Sequence, residues 1–110
     1  MDAKYFLPVA FAVTLSHNRH AKRFSQENLA KQAGISRAQI GKLENASANP
    51  SVETMLKLSK ALSLNLERFG SQLQANYDNV CTVLDGRFAE TGANALHLYT
   101  KLNNDPLRKI

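Results

Sequence analysis

The sequence predicts an all-α fold: about five helices followed by a helical C-terminal extension. Three observations carry this expectation. Apolar residues recur at intervals of three and four along most of the chain. Serines and glycines stand where helices must start and stop. No segment shows the apolar–polar alternation of a half-buried strand; VCTVL at 80–84 is the one β-leaning run, and its flanks suit a helix better.

The elements follow in order. Phe11, Leu15 and Arg19 lie on one face of a first helix expected from about Pro8 to Lys22, with Pro8 suited to the opening turn. Ser25, three residues before Asn28, is an N-cap for a second helix, which Gly34 ends after about two turns in a left-handed C-terminal position. Ser36 caps a third helix whose Ile40 and Leu43 face inward. The polar loop ENASANPS at 44–51 leads through Pro50 and Ser51 into a fourth, with Met55, Leu58 and Leu62 as its buried stripe. Leu66, Phe69, Leu73, Tyr77, Val80 and Leu84 then follow a near-heptad spacing that Gly70 interrupts, so one long helix or two are both compatible. Asp85-Gly86 is a turn, and Ala95, Leu98, Tyr99 and Leu102 mark a last helix ended by NNDP at 103–106.

Composition narrows the functions. A chain that is 44% hydrophobic and 21% charged is an ordinary globular mixture. Cys81 is the only cysteine, so no internal disulfide forms, and a reducing cytoplasm is expected. YFLPVAFAVTL at 5–15 is apolar, but it contains Pro8 and runs into SHNRHAKRF instead of a small-residue cleavage site, which argues against a secretory signal. No run reaches the ~20 apolar residues of a membrane span. His17, His20 and His97 have no metal-ligand spacing with Cys81, and neither a catalytic serine–histidine–acid set nor a glycine-rich phosphate loop is present. No metal, cofactor or enzymatic activity is expected.

Charge location is more informative than net charge. Between His17 and Lys42 stand Arg19, Lys22, Arg23, Lys31, Arg37 and Lys42 against one acid, Glu27, which equals the net +5 of the whole chain. The flanking segments are neutral. Focused positive charge is either a solvated face or the footprint of a polyanion.

Two short helices joined by a glycine-containing turn, between a first and a fourth helix, make a helix-turn-helix. The sequence also resembles the phage-repressor and Cro class of DNA-binding domains over about residues 8–70. The matching residues are Ser25-Gln26, Leu29-Ala30, Gly34-Ile35-Ser36, Leu43-Glu44, Asn49-Pro50-Ser51 and an amphipathic helix closing on Ala61, Leu62 and Leu64. The resemblance implies a lambda-repressor-like domain, placed here at 1–70, with residues 71–110 as the extension.

A helix in the major groove reads base edges with the exposed side chains of its N-terminal half. Inward Ile40 and Leu43 leave Arg37, Ala38 and Lys42 outward, and the resemblance places these at base edges: Arg37 for guanine, Ala38 for a thymine methyl, Lys42 for a base or a phosphate. Ser36 and Gln39 are expected at the DNA backbone. Gln26 opens the second helix, where its amide, the free N–H groups and the helix dipole suit a phosphate; the resemblance assigns it that role. Asn45 and Asn49 can donate to another phosphate. The loop NASAN at 45–49 has no cation, although the family is often basic there. The resemblance also pairs Arg19 with Glu44 in a partly buried ion pair that fixes the recognition helix.

The expected activity is that of a cytoplasmic transcription regulator, a repressor by preference, bound to double-stranded DNA as a homodimer on a roughly palindromic operator. The stripe Leu66, Phe69, Leu73, Tyr77, Val80 and Leu84, with Leu98, Tyr99 and Leu102, is expected to form the dimer. A chain cut after about residue 70 is then expected to keep its helices and become monomeric. The alternative is an antitoxin-type or other protein-interaction module whose extension binds a partner protein.

Overall fold

A computed structural model describes residues 3–103, which are all-helical with no strand. A 3-10 turn, Ala3–Tyr5, leads into α1 (Phe6–Ala21), α2 (Gln26–Ala33), α3 (Arg37–Glu44), α4 (Val52–Ala61), α5 (Leu66–Leu84) and α6 (Gly92–Asn103). The NNDP stop expected at 103–106 lies, beyond Asn103, outside the described residues.

Local chemistry sets the helix ends. Ser25, Ser36 and Ser51 each accept the backbone N–H three residues on at 3.0 Å, and Asn65 accepts that of Arg68 at 2.7 Å. Each bond satisfies a donor that the first helical turn leaves open. At the other ends, α1, α3 and α4 close on Arg23, Ala46 and Ser63, with φ of 58°, 58° and 60°. The residue after each of them donates back to Arg19, Lys42 and Ser59 respectively, the paired-bond Schellman closure that usually takes glycine. Among the first four helices only α2 closes on glycine, Gly34 at φ 72°.

Helix α1 is the spine. Nine consecutive residues, Pro8–Ser16, are buried, so it has no solvent face over that stretch. One side of it, Phe11 and Leu15, joins Leu29, Ile40, Leu43, Leu58, Leu62 and Phe69 in a core under α2–α4. Its other side, Val9, Ala10, Ala12 and Val13, joins Val80, Leu84, Ala95, Leu96 and Tyr99 in a second core under α5 and α6. Leu73 packs against both.

Helix α5 runs unbroken through Gly70, so no structural break marks the division expected there. Amides along its inner side set its register on its neighbours. Asn18 Nδ2 donates to Gln72 Oε1 at 2.6 Å, Asn76 Nδ2 to Thr14 Oγ1 at 2.8 Å, and Asn79 Nδ2 to the Tyr99 hydroxyl at 2.6 Å.

This packing corrects the expected dimer stripe at four positions. Phe69, Val80, Leu84 and Tyr99 are at most 1% exposed inside the single chain and cannot line an intermolecular surface in this fold. Phe69 meets Phe11 with ring centroids 5.6 Å apart, and Val80, Leu84 and Tyr99 pack on α1. The physical reason is that α6 folds back and α1 covers the seam from within. Of the rest, Leu66 and Leu102 are exposed and Leu73, Tyr77 and Leu98 are half-buried.

Candidate nucleic-acid interface

The inner sides of α2 and α3 are closed by Leu29, Ala30, Ala33, Ile40 and Leu43, all buried. In α3 the buried positions 40, 43 and 44 leave one outward face, and Arg37, Ala38 and Lys42 stand exposed on it. Gly41 lies between them, and the sequence pattern alone did not single it out. A Cβ at Gly41 would meet nothing within 4 Å, so packing within the chain does not require glycine there. An interior helix glycine costs about 1 kcal/mol relative to alanine, and that mismatch was the available signal.

Glu44 is the polar anchor of α3. Arg19 donates Nε to Oε2 at 2.6 Å and Nη2 to Oε1 at 2.9 Å, a two-pronged charge-assisted pair, and Nη1 to the Phe24 carbonyl at 2.8 Å. The side chains are 13% and 6% exposed, so solvent screens the pair little. Gln26 Nε2 donates to Glu44 Oε1 at 3.2 Å. The end of α1, the start of α2 and the end of α3 therefore meet at one carboxylate.

The remaining expected backbone contacts are distributed less evenly. Ser36 holds the N–H of Gln39 as its cap, and Gln39 is half-buried with its amide 3.4 Å from the Thr54 hydroxyl. Asn45 is exposed and donates to Ser47 Oγ at 3.1 Å; Asn49 is exposed. Among the basic residues, Lys22, Arg23, Lys31, Arg37 and Lys42 are all exposed, with Lys31 3.6 Å from Glu27 in an open pair. Arg23 and Lys22 sit at the α1–α2 turn, Arg37 and Lys42 on α3, so the positive excess is carried by adjoining surface elements.

Among the described residues, no group of three or more histidine, cysteine, aspartate or glutamate side chains is placed to hold a metal ion, and no helix is long and apolar enough to cross a membrane. Residues 19–69 match the family model described as helix-turn-helix. No curated protein and no solved structure gives a significant match.

Proposed function

We propose, from the match of residues 19–69 to the helix-turn-helix family and from the geometry above, that the chain is a DNA-binding transcription regulator of the Cro and phage-repressor type, a cytoplasmic repressor acting as a homodimer. Its α3 enters the major groove of a roughly palindromic operator. The observation that carries this reading is the outward face of α3, where Arg37, Ala38 and Lys42 are exposed while Ile40, Leu43 and Glu44 hold the helix from behind. Arg37 reads guanine O6 and N7, Ala38 meets a thymine methyl, and Lys42 contacts a base or phosphate. Gln26, Ser36, Gln39, Asn45 and Asn49 serve the DNA backbone, where contacts set register and carry no sequence information. No cofactor enters this reading.

Pairing brings two copies of α3 to sites about 34 Å apart, one turn of DNA. With four of the expected residues buried, Leu66, Leu73 and Tyr77 of α5 and Leu98 and Leu102 of α6 are left for pairing. Leu73 and Tyr77 line an open cleft of about 340 Å³ with Gly70, Gln74 and Leu7 of α1, and Leu66, 42% exposed, lies one turn before Gly70 on α5. A second reading, a partner protein on the extension, is favoured by Phe88, which is 79% exposed between α5 and α6.

The test is selection of binding sites from random duplexes, followed by affinity measurement across a salt titration. Affinity falls steeply with salt through counterion release. Arg37→Ala costs about 1–3 kcal/mol and relaxes preference at one base pair, whereas Gln26→Ala weakens all sequences alike. Absence of binding at low salt, or equal loss of preference in both variants, refutes the assignment.

A further inference from the structure

Helix α6 lies outside the matched segment, yet it touches the end of α3. Gly92, its first residue, is buried, and a Cβ built there would stand 1.8 Å from the carbonyl oxygen of Ala46 and 2.9 Å from its carbonyl carbon. Ala46 is the left-handed residue that closes α3, and it is 3% exposed in the core that also holds Ala95, Leu96 and Tyr99. Beyond it Ser47, Ala48 and Asn49 border an open cleft of about 470 Å³, with Lys4, Tyr5 and Pro8 on the far wall. The loop is thus braced by α6 at Ala46, tied to α3 by the Ser47 N–H donating to the Lys42 carbonyl at 2.9 Å, and packed on the core under α2–α4 at Ala48. The start of α6 is in turn held by Thr91, whose Oγ1 caps the N–H of Asn94 at 3.0 Å, and by the Tyr5 hydroxyl donating to the Glu90 carbonyl at 2.6 Å.

We propose that Gly92 is a positioning residue for DNA binding: by letting the α6 backbone seat against Ala46, it fixes the path of residues 45–49 and hence their grip on the DNA backbone. The proposal rests on the reading above, in which Asn45 and Asn49 meet phosphates. Real Cβ atoms keep at least 3.0 Å from such an oxygen, so a side chain at 92 forces the two backbones apart by more than about 1 Å. Hydrogen bonds to phosphate tolerate only a few tenths of an ångström, so the loop releases the phosphates while Arg37 and Lys42 stay on α3. The extension is then part of the DNA-binding unit.

The experiment compares full-length wild type with Gly92→Ala, Tyr5→Phe and the exposed control Asn94→Ala. In Gly92→Ala, operator affinity falls about ten-fold or more, while the selected base preference and the salt slope are unchanged, because the loop residues 45–49 carry no charge and the cations of α3 stay in place. In the absence of DNA, the NMR amide resonances of residues 45–49 move and those of Gln26–Ala33 do not. Asn94→Ala matches wild type. Tyr5→Phe, which loosens the same junction without a clash, gives a smaller loss in the same direction and decides the matter if Gly92→Ala does not fold. Unchanged affinity in a folded Gly92→Ala, or in Tyr5→Phe when Gly92→Ala is unfolded, overturns the proposal, and so does a changed salt slope, which marks displaced cations and not the neutral loop. Wild type that fails to bind DNA refutes the underlying reading instead, and the resonance shifts at 45–49 still report whether α6 positions the loop.

Discussion

Replacing Arg19 by methionine keeps much of its stem and removes its charge. Glu44 then loses two charge-assisted hydrogen bonds and retains the Gln26 amide at 3.2 Å, and the Phe24 carbonyl loses its donor from Arg19. With Glu44 only 6% exposed, water cannot replace the guanidinium without opening the junction of α1, α2 and α3. Breaking one side of a buried pair costs about 3–5 kcal/mol, a large share of the roughly 5–15 kcal/mol that holds a domain of this size. At a urea m-value of about 2 kcal/mol/M, the unfolding midpoint falls by roughly 1.5–2.5 M. The assay is urea unfolding followed by far-UV circular dichroism, on Arg19→Met, Glu44→Gln, the double variant and Lys31→Met. The Lys31–Glu27 pair is 73% and 67% exposed and marks the scale of an open ion pair, a few tenths of a kcal/mol. In the double variant the cost is less than the sum of the single ones by about 1–3 kcal/mol, because the carboxylate no longer needs its partner. An Arg19→Met shift as small as that of Lys31→Met refutes the view that this pair anchors the recognition helix.

Two further outcomes follow from the packing. Ser63→Gly removes the cost of a non-glycine residue at φ 60° and raises stability by about 1 kcal/mol, read as a higher urea midpoint; a lower midpoint shows that the serine side chain contributes more than the backbone loses. A chain cut after residue 70 exposes Val9, Ala10, Ala12 and Val13 of α1, which are buried under α5 and α6, and shows no cooperative unfolding transition. A sharp transition in that fragment shows instead that residues 1–70 fold alone.

Much of the fold is legible in the sequence because it is set within four residues of itself. Ser25, Ser36 and Ser51 cap helices wherever the chain can reach its own N–H three positions on, and Gly34 ends α2 because left-handed backbone favours glycine. The outward direction of Arg37, Ala38 and Lys42 follows from helical geometry once Ile40 and Leu43 face inward. The confinement of the net positive charge to residues 17–42 is a property of residue order alone.

What covers an apolar face is another matter. Leu66, Phe69, Leu73, Tyr77, Val80 and Leu84 have the same spacing whether a second copy or the chain's own helices lie against them. Periodicity reports that a stripe is apolar, not what fills it. Only the tertiary packing, with Phe69 against Phe11 and with Val80 and Leu84 closing on α1 and α6, assigns half of that stripe to the interior. The same holds for Gly92. Its need for glycine arises from the carbonyl of Ala46, a residue distant in sequence, and no local pattern encodes that meeting. Short-range hydrogen bonding wrote the helices into the sequence; long-range excluded volume decided which of their faces remained available.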